Sequence, residues 1–300
     1  MSRAIGIVGV GRMGRAMSGR LAERGFDPVV YDVSPLAREA AAAGGAKVVG
    51  SAAEVAANAR TVVLSLPRSD DVEVAVLGDG GVAAGFAPGA GPATVVDTTS
   101  GRPAISRRVA DALADRGIDY LDVGVSGGVG GAAGGTLKLM VGGDASVVAR
   151  CDDLLAALGP NRWHCGTVGS GHAMKTVLNL TNQTKLAAEL EALLLATAGG
   201  LDPHQVAEVL GLTVWQTYLL GAGGRRPFGF TLELVGKDFD VAAELAAEHG
   251  VAIPVSSTAL QHMRAARREL GGDADLIESV RIAERNAGVT IDEPGDPGSA

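Results

Sequence analysis

Lys175 and Asn179 stand four residues apart in the run Gly169-Ser170-Gly171-His172-Ala173-Met174-Lys175-Thr176-Val177-Leu178-Asn179, so on a helix they share one face. Asn182 and Gln183 continue that polar face by another turn, and Val177, Leu178, Leu180 and Leu186 flank it with apolar surface. In an apolar cleft desolvation disfavours the charged form of a lysine, which suits it to proton transfer near neutral pH. The same residue would supply the positive charge that an anionic substrate needs. The competing reading is a lysine that lays its stem along the helix and keeps its head in water. Because a lysine near a helix start opposes the helix dipole, a further interaction is expected to retain it there. His172, one turn earlier, either touches the same site or serves the helix start.

A second chemical signal lies at the front of the chain. Ile5-Gly6-Ile7-Val8-Gly9-Val10-Gly11-Arg12-Met13-Gly14 reads as a strand running into G-x-G-x-x-G. Gly9 would permit the tight turn, Gly11 would let the backbone approach a pyrophosphate, and Gly14 would let the helix pack closely on the strand. The helix N-terminus then offers unpaired N–H groups and a positive dipole end to phosphates. The next apolar run ends at Asp32, close to the roughly 20-residue spacing at which an acid meets the adenosine ribose hydroxyls. Its charge would repel a 2′-phosphate, and Val33 and Ser34 bring no compensating arginine. NAD is therefore the expected cofactor, with NADP open if Arg38 turns inward. The bland alternative is a glycine turn followed by an aspartate that caps the next helix.

Other unusual residues follow apolar runs, where an open parallel sheet places its ligands. Pro67 and the polar run Arg68-Ser69-Asp70-Asp71 follow Leu66, Thr98-Thr99-Ser100 follows Asp97, and Ser126-Gly127-Gly128 follows Val125. The Thr98–Ser100 hydroxyls can equally cap the helix that Pro103 opens. Ser126-Gly127-Gly128 exposes successive N–H groups with little side-chain bulk, as a carboxylate-binding nest or as a plain turn.

These residues need a scaffold, and the pattern specifies one. Candidate strands Ala4–Val8, Pro28–Asp32, Thr61–Leu66, Thr94–Asp97, Asp119–Val125 and Leu137–Val141 alternate with Ala-rich helical segments. That alternation predicts an α/β fold, an N-terminal Rossmann-type doubly wound parallel sheet covered on both faces. Strand signals end after residue 165, and long Ala/Leu/Glu stretches then predict an all-α C-terminal domain over 166–290. Residues 291–300, rich in Gly, Pro, Asp and Glu, are expected to be a disordered tail. With 47% hydrophobic and 20% charged residues among 300, the chain is long enough for two such domains. The net charge of −8 and the absence of a basic stripe argue against nucleic acid as a partner. Cys151 and Cys165 lack metal-ligand spacing, so no metal is expected, and two free thiols suit a cytoplasmic protein. Ala4–Val10 is too short and too soon interrupted for a signal peptide, and Glu189 and Glu191 spoil the apolar stretch 186–198 as a membrane span.

Taken together, the sequence resembles the β-hydroxyacid dehydrogenase family, which includes 3-hydroxyisobutyrate dehydrogenase and tartronate semialdehyde reductase. The likeness runs to about Gly288 and rests on four ordered motifs: the glycine loop; Asp97-Thr98-Thr99-Ser100 with Pro103; Asp122 through Ser126-Gly127-Gly128 to Gly135-Thr136-Leu137; and Gly169-x-Gly171 to Lys175 and Asn179. Gly236-Lys237-Asp238 is a weaker fifth. The resemblance implies that Lys175 is the catalytic acid/base, that Ser126, Gly127 and Gly128 hold the substrate carboxylate, and that Asn179 positions the substrate. It also implies cofactor contacts by Leu66, Pro67, Asp71, Ser100 and Lys237, beside Gly9, Gly11, Arg12, Met13, Gly14 and Asp32. The implied reaction moves hydride between nicotinamide and a small β-hydroxy acid, and the implied assembly is a homodimer or homotetramer.

The chain departs from the family pattern at Gly124-Val125, where Ala-Pro is usual, and at Val129-Gly130-Gly131-Ala132, which lacks the usual charged or proline residues. No single member's substrate is therefore carried over. Trp215, Tyr218, Arg225 and Arg226 are further pocket candidates, although core packing accounts for the two aromatics equally well. The alternatives are an imine reductase-like NADPH enzyme, which Lys175 disfavours, and a non-catalytic NAD sensor, which would need no proton-transfer residue.

Overall fold

The computed structural model describes residues 3–89 and 91–291. Two compact units divide the chain, Met1–Thr176 and Val177–Ala300. In the first, strands and helices alternate: β1 (Ala4–Val8), α1 (Arg12–Glu23), β2 (Asp27–Tyr31), α2 (Pro35–Ala43), β3 (Lys47–Val48), α3 (Ala52–Asn58), β4 (Thr61–Leu64), α4 (Ser69–Leu77), α5 (Val82–Gly85), β5 (Ala93–Asp97), α6 (Pro103–Ala114), β6 (Ile118–Ser126), α7 (Gly128–Gly134), β7 (Lys138–Gly142), α8 (Ala145–Arg150), α9 (Asp152–Leu158) and β8 (Asn161–Gly166).

The strands form one sheet in the order β3-β2-β1-β4-β5-β6-β7-β8. Successive residues of a strand face opposite sides, and here both sides are apolar. Ile5, Ile7, Val63, Val96, Leu121 and Val123 pack with Met17 and Leu21 of α1 and Leu154 and Leu155 of α9. Their strand neighbours Val8, Val62, Leu64, Val95 and Tyr120 pack with Val55 of α3, Val72 and Val76 of α4, and Val109 and Leu113 of α6. β1, β4, β5 and β6 therefore bury both faces under helices, which is why these segments read as near-continuous apolar runs.

The parallel sheet expected from sequence is confirmed through β6 and corrected beyond it. β7 runs antiparallel to β6, and β8 runs parallel to β7. Residues 127–137 connect β6 to β7 and fall short of the dozen or so residues that a parallel crossover needs. β3 and β8, at the two edges, carry no apolar run that would announce them. β8 reads Asn-Arg-Trp-His-Cys-Gly, with Trp163 51% exposed. β2 ends at Tyr31, leaving Asp32 just past it, and β4 ends at Leu64 rather than Leu66.

The long helix α10 (Ser170–Ala198) contains the division between the units. The sequence pattern changes after residue 165, whereas the first turns of α10 belong with the sheet. The second unit continues with α11 (Pro203–Val209), α12 (Thr213–Tyr218), α13 (Leu232–Glu248), α14 (Pro254–Leu270) and α15 (Ser279–Ala287). Asp202 and Thr231 accept hydrogen bonds from the first turns of α11 and α13, and Pro203 and Pro254 occupy first-turn positions that need no N–H donor. One core cluster gathers Leu193, Leu212, Trp215 and Val280, and another gathers Val235, Phe239, Leu260 and Met263. Leu186 and Phe228 touch both. Ile291 is fully buried and donates its N–H to Glu284 Oε1 at 2.9 Å, so packing extends to the position where the tail was expected to begin. The rest of that expected tail, 292–300, lies outside the described residues. Among the described residues, no helix is long and apolar enough to cross a membrane, and no group of three or more His, Cys, Asp or Glu is placed to hold a metal ion.

Candidate active site

The glycine loop joins β1 to α1 at the point where the strand order reverses, with β2 on one side of β1 and β4 on the other. An open α/β sheet has its ligand crevice there. Gly9 has φ +89°, and a Cβ on it would run into the Ser65 carbonyl and Leu66. A Cβ on Gly14 would strike the Gly9 carbonyl oxygen. The loop and the helix thus pack backbone to backbone. α1 begins after Gly11, where a Cβ would meet nothing within 4 Å. Gly11 and Arg12 are exposed and Met13 is half-buried. The first-turn N–H groups of α1 are therefore open to an anion such as a pyrophosphate.

Asp32 has hydrogen-bond partners of its own. Its Oδ2 accepts the Val10 N–H at 2.8 Å and its Oδ1 accepts the Ser34 N–H at 2.8 Å, so it ties the end of β2 to the glycine loop. Ser34, not Asp32, caps α2, accepting from the Ala37 N–H. A carboxylate has about four acceptor positions, so Asp32 keeps capacity for hydroxyl donors. Arg38 is turned toward the same strand end, where its Nη1 donates to the carbonyls of Asp32 at 2.6 Å and Val33 at 3.3 Å.

Leu66 is half-buried after β4, and Pro67 and Asp71 are exposed. Thr98 and Thr99 are buried ties: Thr98 Oγ1 donates to the Leu64 carbonyl at 2.6 Å, and Thr99 Oγ1 accepts the Leu66 N–H at 3.1 Å. Neither caps α6, whose N-cap residue is Arg102; its N–H donates instead to Ser69 Oγ at 2.7 Å. Ser100 is left half-buried past the end of β5. At the end of β6, Ser126 is half-buried while Gly127 and Gly128 are exposed, with φ of +136° and +63°.

The start of α10 is bound to the sheet by a buried polar network. Asp122 of β6 is fully buried; its Oδ1 accepts the Gly169 N–H at 2.7 Å and its Oδ2 the His172 N–H at 2.8 Å. His172 is buried too, with Nδ1 2.7 Å from Ser106 Oγ and Nε2 3.3 Å from the Asp97 carbonyl. Tyr120 donates its hydroxyl to Asp97 Oδ2 at 2.6 Å. Burial, reinforced by the charge of Asp97, pushes the Tyr120 phenol well above its ordinary range, so it remains a donor. His172 is thereby placed in the structural role. Lys175 is half-buried one turn later, its Cβ seated over Gly124 of β6. Gly124 and Ser126 are two apart on one strand and share its face. The first unit therefore brings Lys175 and the Ser126–Gly128 loop to the same strand.

In the second unit, Asn179, Gln183 and Lys237 gather around Asp238, which is 6% exposed. Asn179 Nδ2 donates to Asp238 Oδ2 at 2.6 Å, and Gln183 Nε2 donates to the same oxygen at 3.4 Å. Lys237 Nζ lies 3.8 Å from Asp238 Oδ1. The other pocket candidates have structural partners. Trp215 is buried edge-on to Phe228, Tyr218 stacks on the same ring at 4.5 Å, and Arg225 Nη2 reaches both oxygens of buried Glu284 at 2.6 Å. Arg226 is exposed and donates to the Ala222 carbonyl. Sequence reasoning gave Asp122 and Asp238 no role of their own. For Asp122 the available signal was a charge in an otherwise apolar stretch, because a buried carboxylate demands donors.

Comparison with known proteins agrees with this geometry. The profile of the NAD binding domain of 6-phosphogluconate dehydrogenase matches residues 4–169. The profile described as NAD-binding of NADP-dependent 3-hydroxyisobutyrate dehydrogenase matches residues 169–283. The chain is 32% identical to 2-(hydroxymethyl)glutarate dehydrogenase of Eubacterium barkeri, over 96% of this chain and 97% of that protein. It is 33% identical to an NAD-dependent L-serine dehydrogenase of Pseudomonas aeruginosa, over 87% and 91%. A solved structure of Mycobacterium tuberculosis 3-hydroxyisobutyrate dehydrogenase with L-serine superposes with a TM-score of 0.84 at 29% identity, covering 94% of this chain and 99% of that one. The chain belongs to the β-hydroxyacid dehydrogenase family and is an NAD(P)-binding hydroxyacid oxidoreductase.

Proposed function

We propose that the protein interconverts a small β-hydroxy acid and its semialdehyde, with Lys175 as general acid/base. One observation carries this reading: Lys175 sits over β6 at Gly124, two residues before Ser126 on the same strand face, at the carboxyl end of a dinucleotide-binding sheet. In the oxidative direction Lys175 Nζ takes the hydroxyl proton as the C–H hydride leaves the same carbon, and a C=O bond forms. A bound nicotinamide would supply the acceptor for that hydride. Ser126 and the backbone N–H groups of Gly127 and Gly128 receive the carboxylate, and Asn179 orients the substrate. The cofactor's phosphates fit the open first turn of α1. Leu66, Pro67, Asp71, Ser100 and Lys237 complete the proposed cofactor contacts.

The names of the relatives narrow the substrate class. 3-Hydroxyisobutyrate, L-serine and 2-(hydroxymethyl)glutarate each carry a primary alcohol on the carbon next to the one bearing a carboxylate. They differ in the substituent on that intervening carbon. We infer a substrate of this hydroxymethyl-carboxylate type. The Asp32 charge favours NAD, because placing a 2′-phosphate beside a carboxylate is strongly unfavourable.

The test is NADH and NADPH formation over a panel of such acids, with the wild type and Lys175→Ala side by side. Turnover is expected with NAD at least about tenfold more efficiently than with NADP. Lys175→Ala is expected to lose activity by about 10²–10⁴-fold, the usual contribution of a general acid/base, while NADH still binds. Undiminished turnover by that variant would remove Lys175 from the mechanism. NADP preference in the wild type would instead assign Arg38 to the 2′-phosphate.

A further inference from the structure

We propose that Asp122 is a positioning residue for Lys175, so that one face of β6 sets both the proton-transfer group and the carboxylate loop. The inference rests on the reading of Lys175 as the acid/base and concerns how the fold holds it.

Three alternate residues of β6, Asp122, Gly124 and Ser126, lie on one strand face. Each meets a different part of the site. Asp122 accepts two backbone N–H groups from the start of α10, donors that no helical carbonyl can satisfy. Its negative charge lies where the helix dipole favours it. Gly124 is the seat of the lysine: a Cβ added there would stand 2.5 Å from Lys175 Cβ and 2.8 Å from the Gly171 carbonyl. Gly171 is equally tight, since a Cβ on it would strike the backbone of Asp122, Met140 and Gly142. The helix start therefore lies directly on the backbones of β6 and β7. Ser126 ends the strand beside the glycines of the carboxylate loop.

The Asp122 contact is not replaced even by its amide. Asparagine offers one acceptor oxygen and an NH2 that would face a second N–H donor. That mismatch falls at the helix start that carries Lys175 one turn on, beside the His172 ring held against Ser106 and the Asp97 carbonyl. Displacement by about 1 Å at a reacting group can cost on the order of a hundredfold in rate.

The experiment compares full-length Asp122→Asn with the wild type and with Asp144→Ala. Asp144 caps α8 through the Ser146 N–H, so its loss removes a helix cap far along the chain from Lys175. Two readouts are taken. The first is the pH profile of Lys175 acetylation by acetic anhydride, followed on its peptide by mass spectrometry. The second is kcat and KM with NAD and either 3-hydroxyisobutyrate or L-serine. Asp122→Asn is expected to shift the Lys175 profile and to lower kcat by about a hundredfold, with a much smaller change in KM. Asp144→Ala is expected to lower the melting temperature and leave both readouts at wild-type values. A wild-type Lys175 profile in Asp122→Asn, or a shift of the same size in Asp144→Ala, would overturn the proposal. Retained turnover in Lys175→Ala would instead overturn the acid/base reading, and the acetylation profile would still report whether β6 positions the lysine.

Discussion

The two units hold their functional groups by different means. In the first, Gly9 and Gly14 bring backbone against backbone, and the proposed ligand groups are largely N–H donors at helix and strand ends. In the second, Asn179 and Lys237 are side chains on helices, oriented through the carboxylate of Asp238. Backbone positioning tolerates almost no added volume. Side-chain positioning tolerates volume and depends on a partner's charge and acceptors instead.

That contrast can be broken or sharpened by substitution. The largest effect is expected from Gly14→Ala, whose new methyl would collide with the Gly9 carbonyl. Strain of this kind costs about 1–3 kcal/mol, read by denaturant melts, and NADH titration should show affinity lost with it. Asp238→Ala should be milder. Removing the acceptor of the Asn179 amide is expected to lower kcat/KM for the acid by about tenfold, with NADH affinity changed far less than in Gly14→Ala. Equal loss of NADH affinity in the two variants would erase the distinction between the units. The smallest effect is expected at Gly19, exposed within α1 with open space where a Cβ would go. Gly19→Ala should stabilise the protein by about 0.5–1 kcal/mol. A loss there would show that close glycine packing extends around α1 beyond the loop.

The same contrast explains what could be read from sequence. Gly9, Gly11 and Gly14 followed by Asp32 were legible because backbone positioning forces residue types at set intervals. The tie from Asp32 to the Val10 N–H was not, since it depends on where two loops meet. The antiparallel β7 was missed because an apolar run buried on both faces looks alike in either direction. The short connection 127–137 was the only local clue. β3 and β8 escaped notice because one spans two residues and the other is largely polar. In the helical unit, apolar periodicity gave the helices but not their partners. Trp215 and Arg225 thus resembled pocket residues until Phe228 and Glu284 were seen to engage them. Asp122 and Asp238 belonged to recognisable motifs, yet their work is to satisfy donors distant in sequence, which no local pattern reports.

The chain's scarcity of large aromatics has a practical side. It has two tryptophans, and the fold puts one in each unit: Trp163, half exposed on edge strand β8, and Trp215, 3% exposed in the helical core. An indole in water emits at longer wavelength than one in an apolar interior. The protein therefore carries its own pair of optical probes, so that loosening of the helical core blue-to-red and events at the sheet edge can be followed separately without any label.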